Sequence, residues 1–318
     1  MMRVLLLLAT LLPAFVVHAE PITFGLFGDT PYTRWERQHL PELMAEMDRE
    51  NLSFVVHVGD IKSGSEDCSD AALRDILGVF GASAHPLIYT PGDNEWTDCH
   101  RYSNGGYDPL ERLARLREWF HAGDFALGRR KLKLERQSSE PAYSEYRENV
   151  RWEAGGAMFV ALNVSGSGNN YRGPRKKGGP VAEFIERSAA NRAWLAQAFA
   201  MAREKKLAGI LIAMQGNPGF HAANAGHPEP GYRELLRQLR EETQAFPGQV
   251  VLAHGDTHWH RIDQPLADPD NGETVNNFTR VETIGSPHFG WVRGIADATD
   301  PQVFRFSPRF WRGPMPEN

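Results

Sequence analysis

Six short apolar runs, rich in β-branched and aromatic residues and separated by stretches of helical periodicity, most constrain how this chain folds. They are ITFGLFG (22–28), LSFVVHVG (52–59), HPLIYTPG (85–92), AMFVALNV (157–164), AGILIAMQG (208–216) and QVVLAHG (249–255). Each is nearly continuous in hydrophobicity, as a strand is when both of its faces are buried. Between them lie WERQHLPELMAEMDREN, SDAALRDILGVFG, PLERLARLREWFHAG, SAANRAWLAQAFAMAREKK and GYRELLRQLREETQAF, with apolar residues at three- and four-residue spacing. Those segments are predicted amphipathic helices. Alternation of this kind predicts an α/β sandwich with a largely buried mixed sheet. From Thr274 to Phe306 the β signals grow denser around a turn at Gly285-Ser286-Pro287, and a second, antiparallel sheet is expected there. No internal repeat of about 20 to 50 residues stands out, and no Pro/Ser-rich linker divides the chain. Residues 20–318 are therefore expected to form one domain.

With 318 residues, 41% of them hydrophobic and 24% charged, the chain has enough apolar surface for a sizeable core. Its opening, MMRVLLLLATLLPAFVVHA, places an arginine before an apolar run from Val4 to Val17, and a small-x-small triplet, Val17-His18-Ala19, before Glu20. That run is short for a bilayer span and predicts a secretory signal peptide over residues 1–19. No later stretch is long and apolar enough to cross a membrane, so the mature chain is expected to be secreted or periplasmic, with no membrane span. An oxidising destination lets thiols pair. The sequence holds only Cys68 and Cys99, and a Cys68–Cys99 disulfide is expected. A net charge of −5 argues against a general nucleic-acid binder, which needs a basic face.

Four of the apolar runs end in Gly-Asp: FGDTPY at Asp29, VGDIKSG at Asp60, PGDNEW at Asp93 and HGDTHWH at Asp256. In open α/β sheets ligands sit outside the carboxyl ends of the strands, so carboxylates delivered there converge. A glycine before each lets the backbone turn sharply and approach a ligand closely. One such pair is ordinary turn chemistry. Four in ordered places would repel one another unless a cation sat among them. With His258 and an amide nearby, the set describes a metal-assisted hydrolytic site.

The series resembles the calcineurin-like metallophosphoesterases, whose pattern runs D-x-H, GD-x-x-D, GNH-[DE], a lone His after a strand, then GH-x-H. The resemblance covers Phe24 to about Arg261 and implies a four-layer α/β/β/α sandwich of two mixed sheets. It implies that Asp29 is the first metal-binding aspartate, although Pro31 stands at the family's histidine. Asp60 matches the aspartate that bridges two metals, with Ser63 in place of the second aspartate. Asn94 matches the asparagine ligand, although either Asp93 or Asn94 fits the spacing. Glu95 replaces the histidine that contacts the phosphoryl group or protonates the leaving group. Gln215 stands near the place of the lone histidine. Asp256 replaces the first histidine of GH-x-H, and His258 matches the second; a one-step shift would use His258 and His260 instead. Losing these nitrogens tilts the ligand set towards oxygen, which favours Mn²⁺, Mg²⁺ or Ca²⁺ over Zn²⁺ or Fe if any metal binds.

The resemblance thus implies an exported, divergent hydrolase that cleaves a small phosphorylated substrate with one or two divalent cations. Asp29, Asp60, Asn94, Asp256 and His258 would hold the metal. Glu95 would serve as an acid, Lys62 as a positive charge for phosphate, and Asn94 to orient ligands. The alternative is a binding or scaffold protein that kept the fold and lost hydrolysis, with Lys62 pairing to Asp60 or Asp93 in a metal-free site. Two loops, 126–140 and 165–180, are basic. The second is expected to be mobile, offering Arg172, Arg175, Lys176 and Lys177 to an anion or simply to solvent. Tyr32, Trp96 and Trp259 either wall the pocket or pack in the core. His57 is expected in the core, and His221 and His227 in solvent.

Overall fold

The computed structural model describes residues 19–175, 177–269 and 271–313, so the expected signal peptide, apart from Ala19, lies outside the described residues. Among the described residues five strands form one sheet, in the order β12 (Phe304–Phe310), β11 (Gly290–Ala296), β1 (Ile22–Phe27), β2 (Val55–His57) and β3 (Leu87–Tyr89). Seven form another: β4 (Glu135–Arg136), β5 (Val150–Ala154), β6 (Ala157–Ala161), β7 (Gly209–Ala213), β8 (Gln249–His254), β10 (Phe278–Glu282) and β9 (Arg261–Asp263). Strands β1 to β3 are parallel to one another, as are β6, β7, β8 and β10. Both sheets are mixed because β11 and β12 are antiparallel additions to the first, while β4, β5 and β9 are antiparallel additions to the second.

The two-residue period of each strand explains why the runs read as continuously apolar. On β6, Ala157, Phe159 and Ala161 face the space between the sheets, while Met158 and Val160 face outward into a helix layer. On β7 and β8 the same division places Leu211, Ala213, Val251 and Ala253 inside, with Ile210, Ile212, Val250 and Leu252 outside. Phe24 and Leu26 of β1 pack inward from the smaller sheet, and Phe27 packs outward. Helices α1 (Arg34–Asp48), α2 (Asp70–Gly81) and α3 (Pro109–Phe120) cover that outer face through Leu40, Leu43, Leu73, Ile76 and Leu113. The helices Ala182–Glu204 and Arg233–Ala245 cover the larger sheet through Trp194, Phe199, Leu236 and Leu239. The result is helix, sheet, sheet, helix: the four-layer sandwich that the family resemblance implies.

The tail departs from expectation, because it builds no sheet of its own. Strand β10 extends the larger sheet, pairing in parallel with β8 (Phe278 opposite Val250), and β11 and β12 extend the smaller one. Its turn at 285–287 is the crossing between the two sheets, and the Ser286 N–H donates to the Asp29 carbonyl (3.0 Å). Helix starts follow local chemistry. Thr33 and Glu36 exchange side-chain-to-backbone hydrogen bonds at α1, and Asp108 caps α3 ahead of Pro109.

Candidate active site

Parallel strands of both sheets end on one side of the molecule, and the loops that leave them carry the four Gly-Asp pairs. Asp29, Asp60 and Asp93 follow β1, β2 and β3, while Asp256 follows β8. Asp29, Asp60 and Asp256 hold left-handed backbone conformations (φ 50°, 59° and 81°), and so does His258 (φ 60°). A non-glycine residue there costs about 1 kcal/mol or more and persists only where its surroundings fix it. The close approach expected of the glycines is seen, but of the four only Gly59 is left-handed (φ 103°), so at Asp29 and Asp256 the aspartate itself turns the chain. A Cβ on Gly92 would lie 2.1 Å from Asp60 Oδ1, and one on Gly255 would lie 2.1 Å from Asp29 Oδ2.

Around Asp60 the carboxylate is fully engaged. Tyr32 donates its hydroxyl to Oδ2 (2.6 Å), and Asn94 donates its backbone N–H to Oδ1 (3.1 Å) and its side-chain amide to Oδ2 (2.8 Å). That amide also donates to Tyr32 Oη (2.9 Å) and the Lys62 carbonyl (3.2 Å). Glu95 faces the loop backbone: its Oε1 accepts from the Asp60 and Gly92 N–H groups (3.0 and 2.7 Å) and the Tyr89 hydroxyl (2.7 Å). In this arrangement Glu95 positions two of the turns. Lys62 is 1% exposed and donates to the Ser63 carbonyl (3.0 Å). Burial lowers its pKa, while Glu95 and Asp60 oppose that shift.

Across the pocket the carboxylates are less satisfied. Asp29 Oδ1 accepts the Asp256 N–H (2.9 Å) and lies 3.8 Å from His258 Nε2. Asp256 Oδ2 accepts the Asn217 N–H (2.8 Å), and Asp93 Oδ2 accepts the Ser167 hydroxyl (2.7 Å). Asp29 Oδ2 and Asp93 Oδ1 are buried and find no hydrogen-bond partner among the described residues, and the same holds for Glu95 Oε2 behind Asp60. A Cβ on Gly166 would lie 2.6 Å from both Asp93 Oδ1 and Asp256 Oδ1, so these two oxygens face one point. Burial, reinforced by neighbouring carboxylates, raises every pKa in the cluster: Asp29 and Asp60 well above the usual range, Asp93 to about 8 and Asp256 to about 6. Burial lowers that of His258, which favours the neutral imidazole a metal ligand requires.

The structure thus brings together Asp29, Asp60, Asn94, Asp256 and His258, along with Asp93, the sequence alternative to Asn94. Both sequence registers use His258, which lies beside Asp29; they differ in Asp256, which is in the cluster, and His260, which is not. His260 donates through Nδ1 to the Glu282 carbonyl (2.8 Å) and packs near Phe310. Gln215 receives the Gly166 N–H on Oε1 (2.5 Å). His221 and His227 are exposed, and His57 is in the core. Trp96 is buried under Arg187, Trp259 is 74% exposed, and Tyr32 reaches the site. Among the described residues no three His, Cys, Asp or Glu side chains form a ready coordination shell. What does fit a cation is the pair of buried, unpartnered carboxylate oxygens amid mutually repelling acids, an all-oxygen setting suited to a hard ion.

Two features near the site were not legible in advance. Glu282, at the end of β10, accepts from the Thr257 hydroxyl, the Trp259 N–H (3.1 Å) and Arg261 Nε (2.8 Å), and so fixes the 256–261 loop. Residues Ser167 to Asn170, expected in a mobile loop, form instead a left-handed turn (φ 49°, 64°, 54° and 55°). Buried Arg187 holds it, donating to Asn169 Oδ1 (2.6 Å) and to the Asn169 carbonyl (2.9 Å), while Asn170 donates to Glu183 (2.7 Å). Beyond the turn Arg172, Arg175 and Lys177 are exposed, and Lys176 lies outside the described residues. The Cys68–Cys99 disulfide is buried (Cα–Cα 5.8 Å) and ties the loop after β2 to the loop after β3. Its sulfurs rest 3.4 and 3.7 Å from the Asn94 carbonyl oxygen.

Two facing mixed sheets flanked by helices, with acidic loops at their carboxyl ends, make up the calcineurin-like metallophosphoesterase fold. The same fold occurs in a dimetal phosphatase from Danio rerio, at a TM-score of 0.56 and 15% identity over 92% of this chain and 97% of that one. It also occurs in PhoD, at a TM-score of 0.52 and 13% identity over 93% of this chain and 70% of that one. No family model matches the sequence, and no curated protein matches it. At these low identities the chain shares the fold, and its own strand ends carry Asp29, Asp60, Asp93 and Asp256.

Proposed function

We propose that the chain hydrolyses a small phosphoester with a divalent cation held by carboxylate oxygens, in an exported, oxidising setting that suits its disulfide. The observation that carries this is the pair of buried carboxylate oxygens without partners, Asp29 Oδ2 and Asp93 Oδ1, at a place where four strand-end acids meet. Asp29, Asp93 and Asp256 would hold the ion, with His258 at the open side. Asp60 and Asn94 would join only by exchanging their mutual hydrogen bonds for it. Bound there, a divalent cation would neutralise the acids and polarise a phosphoryl oxygen. The chain's own residues orient the rest: Tyr32 and Asn94 fix Asp60, Glu95 fixes the turns, and Lys62 contributes a buried positive charge. Mn²⁺, Mg²⁺ or Ca²⁺ suits such a site better than Zn²⁺ or Fe.

A second reading, a binding protein without hydrolysis, is favoured by one specific observation: both oxygens of Asp60 are already hydrogen-bonded within the protein. Elemental mass spectrometry of the purified protein, with aryl phosphate hydrolysis measured with and without Mn²⁺, separates the two. The first reading expects bound metal and turnover that Asp29→Asn and Asp93→Asn abolish. Metal-free protein inert towards phosphomonoesters and phosphodiesters would overturn it.

A further inference from the structure

Beside the acidic cluster a cleft of about 330 Å³ opens between the loops that follow β3, β6 and β7. The left-handed turn is its inner wall, and Ser167 is the hinge between cleft and cluster. The Ser167 hydroxyl lies 2.7 Å from Asp93 Oδ2 and 2.9 Å from Asp98 Oδ2, and Asp98 in turn lines the cleft. The wall is also tightly built: Gly231 packs so close that a Cβ there would lie 2.1 Å from the Gly168 carbonyl oxygen.

The chemistry of the lining is mixed in a particular way. Asp98 is paired with Arg101, and Glu229 and Arg172 contribute one charge of each sign, so the cleft is close to neutral. His100 donates through Nδ1 to the Thr97 carbonyl (2.7 Å) at the edge of the cleft. One aromatic ring, Tyr171, forms part of the wall and is braced edge-on by Phe184 (5.0 Å). The lining mixes a donor such as Arg172 with acceptors such as Glu229 and Asp98 beside a single ring. That suits hydroxyl groups, which both donate and accept. A quaternary ammonium group calls for several rings, and a second phosphate calls for a net positive wall.

We propose that this cleft holds the alcohol portion of the phosphoester and that this alcohol is a neutral polyol such as a sugar. The proposal rests on the hydrolase reading given above. Hydrolysis forms a bond from the water oxygen to phosphorus, breaks the phosphorus–oxygen bond to the polyol, and leaves the proton on the departing hydroxyl.

The test compares kcat/KM for glucose 6-phosphate, phosphocholine, a nucleoside monophosphate and an aryl phosphate, in the wild type and in Glu229→Gln. The expected result is at least a tenfold preference for the sugar phosphate over phosphocholine and the nucleotide. In Glu229→Gln the ratio of sugar to aryl phosphate should fall about tenfold, through KM. A preference for phosphocholine or the nucleotide, or an unchanged ratio in the variant, overturns the proposal while leaving the hydrolase reading intact. If no phosphoester is turned over, the hydrolase reading fails, and saturation-transfer NMR with glucose 6-phosphate then decides the cleft. Transfer to the sugar protons that Tyr171→Ala abolishes supports it, and no transfer overturns it.

Discussion

Asp93→Asn removes one buried acid while keeping its shape, and it should stabilise the metal-free protein by an amount that grows with pH. Burial and the neighbouring Asp256 raise the Asp93 pKa from the usual 3.8 to about 8, so the folded protein holds this proton more tightly than the unfolded chain does. The stabilisation from that proton is complete below about pH 4 and is lost as pH rises to about 8. At about 1.4 kcal/mol per tenfold change, the ceiling for an isolated group is ~6 kcal/mol. Asp256, itself raised to about 6, shares the burden, because protons redistribute within a coupled cluster. The expected gain is therefore about 2–3 kcal/mol near pH 8.5 and about 1 kcal/mol or less near pH 5. Urea unfolding followed by tryptophan fluorescence, in chelator at both pH values, measures it. A gain equal at the two pH values, or a loss at the higher one, would refute the account of the cluster as repelling acids.

Replacing both cysteines, Cys68→Ala with Cys99→Ala, opens a loop with a sequence separation of 31 and should cost roughly 3–4 kcal/mol; calorimetry showing less than about 1 kcal/mol would contradict this. Gly255→Ala drives a Cβ to 2.1 Å from Asp29 Oδ2. Overpacking of that kind costs about 1–3 kcal/mol, and thermal melting together with metal titration should show stability and cation affinity falling together. Arg187→Met leaves Glu183 and the Asn163 and Asn169 carbonyls without their buried cation. It should cost about 3–5 kcal/mol, with amide exchange rising first at residues 166–170.

The strands were legible because each is buried on both faces: the six apolar runs contain β1, β2, β3, β6, β7 and β8. Strand β5 escaped notice, since Arg151 and Glu153 interrupt its apolar pattern, and Arg151 is buried in the structure by packing over Trp194 (3.8 Å). The tail is β structure as its composition predicts, but the expected sheet of its own does not form, because partner choice depends on distant residues: β10 joins one sheet and β11 and β12 the other. At the site, Gly-Asp pairs marked where the acids converge, but neither the free oxygen of Asp93 nor the engagement of Asp60 follows from spacing. Those are matters of which way a side chain points. The left-handed turn was hidden for a related reason: a glycine- and asparagine-rich segment reads as loose, and the clamp that orders it, Arg187, lies in another helix.

Strand β1 carries a consequence for how the molecule is assembled. Its partners are β2, which follows shortly in sequence, and β11, which joins it with Ile22 opposite Ala296. A chain folding from its N-terminus must keep one edge of its first strand open until almost its whole length is available, and such distant pairings form slowly. The same late segment brings the Ser286 N–H to the Asp29 carbonyl. The first acid of the pocket is thus locked in by nearly the last part of the chain, and completing the fold and completing the site become one kinetic event.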